Sequence, residues 1–224
     1  MKGWVIPPSQ SAEFVACMEH VLEVYKRPYD GDFPVVCMDE SPEQLVEAVR
    51  EEHMEPGREK RADYEYIRHG VANIFMANEP LKGRRLVKVT ESKTKPDWAR
   101  FMKQVADGMY PAAKRITLVM DNFKTHSMGA FYEAFPPDEA KRLISRFEFV
   151  FTPKHGSWLN MAEIELRILS SQCLKRHIAT MEEMASEVEA WQKHRNNADS
   201  KINWQFSTDD ARVKLKRLYP TYLD

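Results

Sequence analysis

The sequence predicts an α/β domain: a mixed central sheet with helices on both faces. Three observations predict it. Two short apolar runs, residues 34–40 and 116–121, read as buried strands, and each ends in an acid. Two further β-like stretches, residues 71–76 and 85–90, flank Asn78-Glu79-Pro80-Leu81-Lys82-Gly83, which is turn chemistry and predicts an antiparallel pair. Segments of helical period separate and follow these strands, the pattern of a layered α/β fold.

Taken in order, residues 11–27 are the first helix. Phe14, Val15, Met18, Val21, Leu22 and Tyr25 recur at steps of three and four, and Pro28 ends the run. After the strand at 34–40, residues 41–53 carry a Ser-Pro start and helical spacing, so a helix is expected there. Residues 54–66 are polar, contain Pro56-Gly57, and read as a loop or edge. Residues 96–109 form a helix with Trp98, Phe101, Met102 and Val105 on one face. Beyond the strand at 116–121, helices are expected over 127–135 and 137–147, then a strand over 147–152 closed by Pro153. Ser157 opens a helix running to about residue 174. Thr180-Met181-Glu182-Glu183 is a capping box for another helix, and residues 207–218 give a short final helix.

The 224 residues suit one full-sized core. No apolar run is long enough to span a bilayer and no leader-like segment opens the chain. Cys17, Cys37 and Cys173 are odd in number and far apart, so neither a disulfide framework nor a zinc site is expected, and a cytoplasmic setting follows. The net charge of −1 argues against a simple nucleic-acid-binding module, but its distribution is uneven. Residues 39–65 hold ten acids and four bases, whereas residues 80–126 hold eleven bases and four acids. Solvated faces account for that pattern; so does a protein that holds a polyanion with bases and a metal with carboxylates.

Asp39 and Asp121 each stand at the C-terminal end of a buried strand, where open α/β sheets place their sites. Glu163 sits early in the helix after the last strand. Hard cations such as Mg²⁺ take carboxylate oxygens, and two such ions serve phosphoryl transfer. Each acid alone also reads as a turn residue, a cap or, for Glu163, an ion pair with Arg167; the matched placement of the two aspartates is what selects them. Glu165 competes with Glu163. The two lie about 200° apart on a helix, both faces look buried, and periodicity does not choose.

Three blocks carry a resemblance: Val35-Val36-Cys37-Met38-Asp39-Glu40; Leu118-Val119-Met120-Asp121-Asn122-Phe123-Lys124-Thr125-His126; and Thr152-Pro153-Lys154-His155-Gly156-Ser157-Trp158-Leu159-Asn160-Met161-Ala162-Glu163. In them the chain resembles the transposases of the bacterial insertion-sequence "six-thirty" family, relatives of the mariner transposases. The resemblance implies a ribonuclease-H-like fold and an Asp39–Asp121–Glu163 triad binding Mg²⁺ or Mn²⁺, as two ions. It selects Glu163 over Glu165, because the family's acid follows Asn by three positions. It implies hydrolysis at transposon ends and attack of the freed 3′-hydroxyl on target DNA. Its partners are then DNA and a second copy in a homodimer, with no membrane.

Two features depart from the family. Asp121 and Glu163 are 42 positions apart, wider than usual, which a helix within residues 136–146 would absorb. The family's N-terminal helix-turn-helix region would precede this chain, so residues 1–30 read as an arm leading from it and residues 31–224 as the catalytic domain. That absence also motivates a competing reading, a non-catalytic remnant that binds DNA or a partner; another ribonuclease-H-like nuclease, acting on hybrid or branched substrates, is a third. Candidate DNA contacts are Asn122, Lys124, His126, Lys154 and His155, followed by Lys93, Lys95, Lys214 and Arg217. Asn122 and His126 read as phosphate contacts or as residues that orient a carboxylate, and His126 reads equally as a structural cap.

Overall fold

A computed structural model of the chain describes residues 6–7, 9–49, 66–121 and 126–221. Five strands form one sheet: β1 (Val35–Ala48), β2 (Tyr66–Glu79), β3 (Arg84–Thr90), β4 (Ile116–Met120) and β5 (Phe147–Phe151). Their order is β3-β2-β1-β4-β5. β1, β2 and β3 pair antiparallel, while β4 and β5 run parallel to β1. The sheet is therefore mixed, as the sequence predicts.

Strand alternation sends successive side chains to opposite faces, and each face carries its own core. Val36, Met38, Phe75, Leu118 and Met120 pack under α2 (Lys95–Lys103), α3 (Met128–Ala134) and α4 (Pro137–Ser145). Cys37, Ile74, Met76, Val119 and Val150 pack under α1 (Ala12–Tyr25), α5 (Met161–Gln172), α6 (Met181–Asn197) and α7 (Thr208–Lys214). Phe14, Met18, Val21 and Leu22 bury α1 in this second core, so α1 is integral to the domain. Among the described residues no helix is long and apolar enough to cross a membrane.

Several expectations are corrected. The helix expected over residues 41–53 is, as far as residue 48, the distal half of β1, paired with β2 from Ser41↔Ile74 to Ala48↔Tyr66. β4 pairs with β1 only at Val35–Cys37, so β1 is an edge beyond that point and tolerates Pro42. A register shift at Leu45/Val46 turns the Val46 N–H to the carbonyl of Ile178, 2.8 Å away. Residues 50–65, expected as the rest of that helix and as a loop, lie outside the described residues. The helix expected from Ser157 starts later: Ser157–Leu159 is a 3-10 turn and Asn160 caps α5. The helix expected over 96–109 runs as α2 and then as a π-helical turn, Gln104–Met109. The final helix likewise splits, into α7 and a 3-10 turn, Lys216–Leu218. The helix that was to absorb the wide spacing is present as α4.

Gly83 closes the β2–β3 turn at φ 69°, the left-handed region, and a Cβ there would stand 2.6 Å from the Asp199 carbonyl carbon. Gly83→Ala is therefore expected to cost about 1–3 kcal/mol, read as a lower midpoint in urea.

Candidate functional site

The last β1–β4 pair is Cys37↔Val119. Two residues further on come Asp39, which alternation within β1 puts on the Cys37 face, and Asp121, just past the end of β4. The third acid reaches the same face through a buried asparagine. Asn160 is fully buried; its Oδ1 accepts from the Ala162 N–H at 3.1 Å, capping α5. Its Nδ2 donates to the carbonyl of Met38 at 2.8 Å. One side chain thus fastens the start of α5 to the residue just before Asp39, and Glu163 follows in the first turn. Asn160→Ala removes a cap and leaves the Met38 carbonyl short of a donor, an expected loss of about 2–4 kcal/mol by urea unfolding.

The rivalry between Glu163 and Glu165 has a structural answer. Glu165 is fully buried, with Oε2 3.1 Å from Arg85 Nε and Oε1 2.8 Å from Arg195 Nη2. Arg85 also donates to the carbonyl of Ser200 at 2.7 Å. Glu165 therefore locks α5 to β3 and α6, whereas Glu163, about 200° around the helix, is half-buried and its charge reaches Asp39.

Electrostatics tie the acids together. Burial pushes the Asp39 carboxyl up, the Glu40 N–H bonded to it at 2.8 Å opposes that, and the charges of Asp121, Glu40 and Glu163 add to the rise; the result is about 7. On the opposite face of β1, Glu40 Oε2 stands 3.0 Å from His126 Nε2, and His126 Nδ1 stands 2.8 Å from Asp121 Oδ1. Burial pulls this imidazole down, but the two carboxylates outweigh it and raise it to about 9. At neutral pH it is an imidazolium donating from both nitrogens. Its ring stacks on buried Trp98, centroids 5.5 Å apart.

Asp121 and Glu163 thus both lie within electrostatic reach of Asp39. Among the described residues no group of three or more His, Cys, Asp or Glu side chains is drawn close enough to hold a metal ion as it stands. Carboxylates alone repel at ligating distance. The donor set nevertheless suits a hard divalent cation: all oxygen, three potential negative charges, and one member, Asp39, raised first by burial and then by its acidic neighbours, which a bound cation would relieve.

Other predicted site residues fall as follows. Asn122 and Lys124 lie outside the described residues. Lys154 and His155 are exposed on the turn after β5, at the carboxylate end; His155 has φ 65°. Gly156 in that turn allows close approach to Pro153, whose Cγ would stand 2.5 Å from an added Cβ. Lys93 Nζ is 3.6 Å from Glu40 Oε1, and Lys95 pairs with Glu133. Lys214 pairs with Asp210; with Arg217 it belongs to the C-terminal elements that pack on α1. Sequence reasoning quoted Glu40 and Asn160 within its motifs but gave neither a role; only their spacing to Asp39 and Glu163 could have signalled one. A cleft of about 860 Å³, lined by Arg84, Arg100, Lys103, Asp107, Phe135 and Asn196 among others, includes none of the three acids.

Comparison with known proteins follows this geometry. A family model described as a DDE superfamily endonuclease matches residues 34–185. No curated protein matches the chain. Among solved structures, the Mos1 mariner paired-end complex with Mn aligns at TM-score 0.59 and 15% identity over 89% of this chain. The Mos1 strand transfer complex aligns at 0.57 and 13%, also over 89%. This chain spans 61% of the length of each of those chains. At such identity the likeness concerns the fold, which is ribonuclease-H-like, as the resemblance implies.

Proposed function

The chain belongs to the DDE superfamily endonucleases, and from that premise we propose that it is the catalytic domain of a DNA transposase of the insertion-sequence "six-thirty" and mariner kind. The observation that supports the reading is that Asp121, just past β4, and Glu163, on the Asn160-anchored α5, both lie within electrostatic reach of Asp39 on β1.

The proposed substrate is DNA, first as a transposon end and then as a target. The proposed reaction is hydrolysis of a phosphodiester, followed by attack of the freed 3′-hydroxyl on a second phosphodiester. Asp39, within β1, Asp121, just past β4, and Glu163, on a capped helix, would hold Mg²⁺ or Mn²⁺, as a pair of ions. Cations bound there would supply polarisation of the phosphate and acidification of the attacking water or hydroxyl. Lys154 and His155, exposed beside the acids, are placed to meet the DNA backbone, where Lys contacts position a duplex without reading its sequence. A pair of ends implies two copies working together.

Nicking of supercoiled plasmid tests the reading. Conversion to the open circle in Mg²⁺ or Mn²⁺, and its absence in EDTA, is the expected result. Failure to nick in either metal, by folded protein, contradicts it.

A further inference from the structure

The sheet does not itself hold Asp39 and Asp121 at a fixed separation. β1 and β4 are hydrogen-bonded neighbours only from Val35↔Thr117 to Cys37↔Val119, and both acids lie two residues past the last pair. Beyond that point β1 has a strand partner on its other side alone, β2; on this side the Asn160 amide meets the Met38 carbonyl, and the Val46 N–H meets the Ile178 carbonyl. Something other than the ladder has to tie the end of β4 to β1.

His126 stands in that gap. Nδ1 is 2.8 Å from Asp121 Oδ1 and 3.3 Å from the Asp121 carbonyl, so the ring grips the residue that ends β4 at two points. Nε2 is 3.0 Å from Glu40 Oε2, on β1 next to Asp39. The His126 side chain is 1% exposed and that of Glu40 6%, against 38% for Asp121. The ring is fixed by its stack on Trp98 at 5.5 Å and 30°, and Lys93 lies against the other oxygen of Glu40 at 3.6 Å. A buried, oriented group that holds a more exposed carboxylate has the arrangement of an outer partner to a metal ligand.

We propose that His126 is a positioning residue: it cross-links the end of β4 to β1 through Glu40 and fixes the Asp121 carboxylate for the cation. This rests on the metal-site reading above. Of the readings the sequence offers for His126, phosphate contact, carboxylate orientation or cap, it selects the second, and it gives Glu40 a role distinct from that of the three acids.

The test is Mn²⁺ affinity of the whole chain, by calorimetry or electron paramagnetic resonance, for wild type, His126→Asn, His126→Gln, Glu40→Gln and the His126→Gln/Glu40→Gln double variant. An Asn amide nitrogen takes the place of Nδ1 and keeps the donor to Asp121. A Gln amide nitrogen takes the place of Nε2 and keeps only the link to Glu40. His126→Gln is expected to weaken Mn²⁺ binding about tenfold or more, and His126→Asn less. Glu40→Gln weakens it in the wild-type background and adds nothing in His126→Gln, because its effect passes through the ring. Wild-type affinity in both His126 variants overturns the proposal, as do additive effects of the two sites. Should a His126 variant fail to fold, Glu40→Gln decides, since it leaves ring and stack intact: unchanged affinity overturns the cross-link and weakened affinity supports it. Wild type that binds no Mn²⁺ overturns the metal-site reading itself, and the proposal with it, a result distinct from all of these.

Discussion

Asp39→Asn is expected to abolish metal-dependent nicking and, in the same protein, to raise stability. Removing one of three anionic ligands takes away several kcal/mol of cation binding and phosphate polarisation, a loss of at least about a hundredfold in rate. The stability gain follows from the strain on that carboxyl. Its pKa is carried from 3.8 to about 7 by burial first and then by Asp121, Glu40 and Glu163, against the Glu40 N–H. A carboxyl raised in the native state binds a proton that the unfolded chain has released. Stability of the metal-free protein therefore falls as pH rises from about 4 to about 7, and the deficit is complete above that window. At pH 8 the Asn variant lacks the deficit and is expected to be about 2–4 kcal/mol more stable in EDTA. Urea unfolding at pH 8 and at pH 4 checks this. The two proteins should converge at the lower pH, and equal stability at both would mean that Asp39 is not under strain. Functional sites commonly hold groups that the fold would be more stable without.

Glu165→Ala is expected to do the reverse, damaging the fold directly. It leaves Arg85, 1% exposed, and Arg195, 16% exposed, as buried cations without their shared carboxylate. Breaking a buried ion pair from one side costs about 3–5 kcal/mol, a large part of the roughly 5–15 kcal/mol that holds a domain together. Glu163→Ala, half-buried and two residues away, should leave the urea midpoint nearly unchanged while losing nicking. If Glu165→Ala unfolds at the wild-type midpoint, the ion cluster is not what sets the rotation of α5.

The contrast between these two glutamates shows what was legible in the sequence. The strands ending in Asp39 and Asp121 were readable because Val36-Cys37-Met38 and Leu118-Val119-Met120 are buried on both faces, so they appear as unbroken apolar runs. Helix positions, α4 among them, were readable from periodicity, and α4 accounts for the wide spacing between Asp121 and Glu163. The choice of Glu163 over Glu165 was not a matter of local pattern. It depends on Arg85, eighty residues earlier, and periodicity saw only two plausible faces. The distal half of β1 was misread for the same reason. Leu45 and its neighbours have helical spacing, but pairing with β2 satisfies the backbone and prevails over a weak local preference. The start of α5 was placed at Ser157 because Ser and Asn both cap helices; the bond from Asn160 to Met38 decides it, and no local rule reports a contact 122 positions away. Glu40 passed unnoticed because alternation turns it away from Asp39, toward a histidine 86 positions on.

The central claim is that Asp39, Asp121 and Glu163 form one cation site. The most direct test is a crystal of the chain grown with Mn²⁺ and measured for anomalous scattering. One or two peaks within about 2 Å of carboxylate oxygens from all three residues, with Glu165 still held by Arg85 and Arg195, is the expected result. Peaks on other carboxylates, or a site in which Glu165 replaces Glu163, would contradict it.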